Sequence, residues 1–177
     1  MPGERTDWNA LVAAAARRLG RDDYPGGSLA ELRRLQPAAP DGAAFWRLVA
    51  ELAPELFDEA HGQRVLAAVL RGMACAHPFH LPAGGRRSLG TAMAEADVAE
   101  ARLLRLLRLD ADALPEELRR LARLMASRGD AGRFEWADAA WLLLTADGPR
   151  GADVRRRIAR DYYSSRFHAT AEREPAA

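Results

Sequence analysis

Apolar residues recur at helical spacing along almost the whole of this chain. Ala, Leu and Arg, all strong helix formers, dominate it, and Ile158 is its only isoleucine. No run alternates apolar and polar residues as a half-buried strand would. The expected fold is therefore all-α, with no sheet. With 177 residues, 49% of them hydrophobic, the chain has enough apolar material for one domain or for two small helical bundles packed together. Such a composition is not that of a disordered chain.

Start and stop signals divide the pattern. A first helix spans about Asp7 to Leu19, with Gly20 as its stop. Ser28 and Glu31 have capping-box spacing and predict the start of a second, short helix that Pro37 and Pro40 end. Asp41 is the expected N-cap of a third helix, carrying Phe45, Trp46, Val49 and Leu52. A fourth runs from about Gln63 to Ala76. Residues 77–87 (HPFHLPAGGRR) read as a linker. They divide the chain into an N-terminal helical subdomain, residues 1–80, and a C-terminal one, residues 88–168, followed by a frayed tail, 169–177. The second half restarts at Ser88, a natural N-cap. It continues with helices over about Asp97 to Leu109, from Pro115 to about Ser127, around Trp136 and Trp141, and from about Asp153 to His168.

Charge excludes some functions. All 26 basic residues are Arg, against 25 acidic ones, so the net charge is only +1. That rules out a histone-like polycation, and any contact with a polyanion must use a local patch. The single cysteine, Cys75, excludes a disulfide framework within the monomer. The N-terminus lacks the apolar core of a signal peptide, and no apolar run approaches the roughly 20 residues of a membrane span. The expected location is the cytoplasm, away from any membrane.

Local patches do exist. Arg102, Arg105 and Arg108 follow one side of a helix, opposite its leucines. Arg119, Arg120 and Arg123 cluster on the next. In the last helix Arg156, Arg160 and Tyr163 share one face, and Val154, Ile158 and Tyr162 another. Guanidinium groups beside an aromatic ring suit phosphates and an unstacked base, because the planar fork both chelates and stacks. An arginine-rich outer face is ordinarily just a solvated face, and Glu116 and Glu117 are spaced to neutralise part of this one. At least one of the two tyrosines is expected in the core.

Nothing argues for catalysis. Cys75, His77 and His80 fall within six residues, but a zinc site would need a fourth ligand, for which only His61 is near. The simpler reading is a buried cysteine at a helix end and two loop histidines. No phosphate-binding glycine loop, zincin helix or Ser-x-x-Lys motif is present. No cofactor is expected, and the chain is read as a non-enzyme.

Four segments, in order, resemble the CasB family, the small subunit of the type I-E CRISPR Cascade surveillance complex. They are LRRLQPAAPDGAAFWRLV (32–49), SLGTAMAEA (88–96), RLLRLLRLDADALPEELRRLARLM (102–125) and VRRRIARDYY (154–163). The resemblance implies two helical bundles, no catalysis and a role in antiviral defence. It implies as partners the backbone and large subunits, guide RNA, the target and non-target DNA strands, and a second copy of the chain. It implies that the protein holds target DNA and the displaced strand when the R-loop opens. Positions matching the family's basic sites are Arg33, Arg34, Arg108, Arg119, Arg120 and Arg155. Charge geometry adds Arg86, Arg87, Arg105, Arg123, Arg156 and Arg160. Where relatives carry a basic residue after S-L-G, this chain has Thr91. The alternative is a helical adaptor that binds proteins through apolar patches such as that around Trp46, with no nucleic-acid role.

Overall fold

The computed structural model describes residues 6–81 and 87–171. Among them there are helices and no strands. Two 3₁₀ turns, Pro54–Asp58 and Gly129–Gly132, punctuate nine α-helices. These are α1 (Trp8–Leu19), α2 (Gly26–Arg34), α3 (Ala43–Leu52), α4 (Ala60–Ala76), α5 (Leu89–Glu95), α6 (Glu100–Arg108), α7 (Leu114–Ala126), α8 (Ala137–Leu144) and α9 (Pro149–Ala171). None is long and apolar enough to cross a membrane.

Where a boundary is set by neighbours in sequence, the reading of the chain holds. Asp7 caps α1 by accepting from the amides of Asn9 and Ala10, and Gly20 ends it. Ser88 accepts from the Thr91 amide to start α5, and Pro115 sits in the first turn of α7. Two caps are corrected. Ser28 lies inside α2, which begins at Gly26 without a side-chain cap. Glu31 does not close a capping box. Its carboxylate accepts from the Ala44 amide at 2.9 Å, so α2 caps α3 and Asp41 does not. The last helix also begins earlier than expected, at Pro149, where a missing N–H costs nothing.

At the centre lies α4, buried on every side from Val65 to Ala74. It packs against α1 and α2 from the first half of the chain, and against α7 and α8 from the second. The apolar core is continuous through both halves. Helix α5 lies along α9, the most extensive helix pair in the molecule. Tyr162 is the buried member of the tyrosine pair and donates to the Val98 carbonyl at 2.7 Å, whereas Tyr163 is exposed.

The segment between the halves is described up to Leu81, and residues 82–86 lie outside the described residues. His80 pins this segment to both sides. Its Nε2 lies 3.0 Å from the Ala16 carbonyl of α1, and its own carbonyl accepts from the Trp136 indole at 2.9 Å. A carbonyl can only accept, so Nε2 carries the proton of a neutral ring. Nδ1 is buried without a partner. Burial pushes the His80 pKa down to about 4, against the smaller opposing effect of the Ala16 bond. An unfolded histidine takes its proton near pH 6.5, so stability is full above that pH. It falls as pH drops from 6.5 towards 4, by roughly 3 kcal/mol. Urea unfolding of the wild type is expected to weaken over this range by about that much more than that of His80→Gln. Parallel pH profiles for the two proteins would remove His80 from the account.

Candidate nucleic-acid interface

Five of the candidate arginines, Arg33, Arg34, Arg119, Arg120 and Arg123, belong to α2 and α7, which adjoin α4, and Arg71 of α4 joins those two helices. Arg71 is 6% exposed. Its guanidinium donates to the Pro115 carbonyl at 3.0 Å and lies 3.5 Å from both the Leu35 carbonyl and Glu116. This ties the end of α2 to the start of α7. Burial lowers its pKa, and Glu116 opposes that shift. Nearby, Arg33 donates from Nε to the Ala74 carbonyl at 2.9 Å.

On α7 the acids come first and the arginines follow. Glu116 chelates Arg119 through contacts of 2.6 to 3.2 Å and lies 3.3 Å from Arg120. The Arg119 hydrogen bonds hold the Glu116 carboxyl down at about 2, so it stays ionised at any ordinary pH. Glu117 was expected on a solvated surface, but it is 2% exposed. Arg102, Arg105 and Arg120 approach it at 3.8, 3.5 and 3.9 Å, distances of ion pairing rather than hydrogen bonding. Two carboxylates thus face five guanidinium groups: Arg71, Arg102, Arg105, Arg119 and Arg120. The cluster retains three positive charges.

Other candidates fall into three groups. Arg34, Arg108 and Arg123 are exposed and form no ion pair among the described residues. Arg156 and Arg160 are exposed and pair with Asp153 and Asp161 on their own helix. Arg87 and Arg155 are turned to the backbone. Arg87 donates to the Asp130 and Ala131 carbonyls and pairs with Glu95, which holds the second 3₁₀ turn. Arg155 forks onto the Ala146 and Leu109 carbonyls at 3.0 Å each, joining the loops before α9 and after α6. Arg86 lies outside the described residues.

Sequence reading missed Arg71 as a member of this cluster, and did not show that Arg102 and Arg105 of α6 meet Glu117 of α7. For Arg71 a signal existed. The stretch VLAAVLRGMACA is apolar all round, so a charge inside it has no solvent face to occupy.

The Cys75, His77 and His80 group resolves into separate roles. The two imidazoles stack at 5.1 Å, with His80 bonded to Ala16. Among the described residues no three metal-ligating side chains are grouped.

Residues 28–163 match the family model described as CRISPR-associated protein Cse2. Two solved structures share the fold. CasB of M. ruber superimposes with a TM-score of 0.70 at 24% identity, covering 91% of this chain and 97% of that one. A chain in the crystal structure of E. coli Cascade bound to a PAM-containing dsDNA target gives 0.64 at 23% identity, covering 93% and 99%. Among curated proteins none matches.

Proposed function

The chain belongs to the Cse2 family of CRISPR-associated proteins, and we propose that it is the non-catalytic small subunit of a type I-E Cascade complex, where it grips nucleic-acid backbone and steadies the opened R-loop. The observation that carries this reading is the charge surplus on α6 and α7. Five guanidinium groups share Glu116 and Glu117, and Arg108 and Arg123 on the same two helices pair with no carboxylate among the described residues. A merely solvated face would gain nothing from such an imbalance, whereas phosphates would complete it. Arg34, exposed on α2, is a further proposed phosphate contact.

Backbone contact suffices for this role. In RNA-guided recognition base pairing reads the sequence, and exchanging one duplex for another is nearly balanced in free energy. A few phosphate contacts to target or non-target strand are enough to tip that balance. A chain of net charge +1 binds weakly alone and gains effective concentration within an assembly. The proposed partners are the backbone and large subunits, guide RNA, both DNA strands and a second copy of the chain.

Reconstitution with and without the chain tests the proposal. It is expected to co-purify with the other subunits and guide RNA, and its omission is expected to shorten the life of the R-loop, read by permanganate reactivity of unpaired thymines in the displaced strand. Failure to co-purify, or an R-loop of equal lifetime without it, would contradict the assignment. A second reading rests on Phe57, which is 47% exposed and stacks on Trp46 at 5.9 Å. Such a patch suits an adaptor that docks on proteins alone. That reading expects no salt-dependent retention of nucleic acid.

A further inference from the structure

We propose that the outer face of α9 is a stacking ledge for the unpaired bases of a single strand. The ledge consists of Tyr163 and Phe167, with Arg156 and Arg160 continuing the same line. This rests on the nucleic-acid reading above, and adds to backbone contact a contact with bases.

At 100° per residue, positions 156, 160, 163 and 167 fall within about 60° of one another, opposite the buried Val154, Ile158 and Tyr162. The two rings are successive along the helix, about 6 Å apart in rise. Phe167 is 72% exposed and Tyr163 is 42% exposed, and only one other large hydrophobic side chain among the described residues is comparably open. The solvent-facing side of a helix has no packing reason to present two such rings in line.

Tyr163 is held ready. Its hydroxyl donates to Glu100 of α6 at 2.6 Å, and its ring stands edge-on to Tyr162 at 5.4 Å. A ring fixed in this way loses little freedom when a base lies on it. The neighbouring cations distinguish a nucleic acid from an apolar protein surface. The Arg156 and Arg160 side chains are 73% and 70% exposed, and their guanidinium groups remain open to a phosphate beside the exposed Asp153 and the half-buried Asp161. Rings and guanidinium groups along one line match the bases and phosphates of a strand whose own partner has been removed. Stacking is indifferent to base identity, so the ledge takes any sequence.

The test compares two fluorescent probes of equal length and charge, an oligodeoxyadenylate and an abasic deoxyribose-phosphate chain, bound by the full-length protein. Phe167→Ala alone is expected to weaken the base-bearing strand at least about fivefold, and Tyr163→Ala with Phe167→Ala at least about tenfold. The abasic strand is expected to bind all variants equally. Tyr163→Phe keeps the ring and loses the Glu100 bond, and is expected to weaken the base-bearing strand less than Tyr163→Ala does and to leave the abasic strand unchanged. A 2-aminopurine in the base-bearing strand should be quenched by the wild type and less by the double variant. Equal losses on both probes, or no loss on either, overturn the ledge while leaving backbone binding in place. Loss of assembly with other subunits at unchanged strand affinity also overturns it, making the stripe a protein contact. A wild type that retains neither probe contradicts both the ledge and the function proposed above.

Discussion

Gly90→Ala is expected to lower stability by roughly 3 kcal/mol or more, and the melting temperature by about 6 to 12 °C. The reason is backbone against backbone. A Cβ at Gly90 would overlap the Ile158 carbonyl oxygen, lie 2.9 Å from the Tyr162 nitrogen and approach the Asp161 Cβ at 3.1 Å. All three belong to α9. No flexible side-chain end is available to move, so α5 and α9 must separate along their most extensive contact. Separation would draw Tyr162 away from the Val98 carbonyl and leave a buried acceptor unpaired. Gly26→Ala is the control, since nothing lies within 4 Å of its Cβ position. Thermal and urea unfolding of both variants check this. A Gly90→Ala protein that melts with the wild type would refute the packing of α5 on α9. The S-L-G motif that marks the family resemblance thus has a steric cause at its third residue.

Neutralising Arg34, Arg108 and Arg123 together, each to Gln, is expected to weaken single-strand binding about a hundredfold at 0.1 M salt and to leave the fold unchanged. Each phosphate contact to a single strand contributes about 0.7 to the slope of log K against log salt, hence about 0.7 log units between 1 M and 0.1 M. Three contacts amount to about two. Stability is expected to hold because all three side chains are exposed, and none forms an ion pair among the described residues. Arg119 is a poor choice for the same purpose. Its guanidinium organises Glu116, so removing it would also leave a carboxylate beside Arg71 with one fewer partner. Arg21→Gln is the control. That guanidinium is already chelated by Asp23, and its loss is expected to change affinity little.

Local causes made most of the fold legible in the sequence. The Asp7 cap, the Gly20 stop, the Ser88 cap and Pro115 in the first turn of α7 each involve residues within one helical turn, where spacing alone decides the outcome. Tertiary competition explains what was not legible. Glu31 had two amide donors to choose from and took Ala44, thirteen residues away, over its own helix terminus. Much the same applies to charge. A sequence shows that Arg87 and Arg155 are cationic, but not that the chain leaves the Asp130, Ala131, Leu109 and Ala146 carbonyls open in front of them. Spacing placed Arg105 and Glu117 on neighbouring helices, yet only packing shows that Arg102, Arg105 and Arg120 meet around one buried carboxylate. In that arrangement, too few acids for the arginines present, lies the reason to read the surface as a binding face.

Binding of the full-length chain to a short single strand, followed as salt is raised, bears on that reading without help from any partner subunit. The wild type is expected to show log K falling linearly with log salt, and the Arg34, Arg108 and Arg123 variant a slope shallower by about two. Equal slopes for the two proteins, or retention indifferent to salt, would mean that these arginines do not hold phosphate.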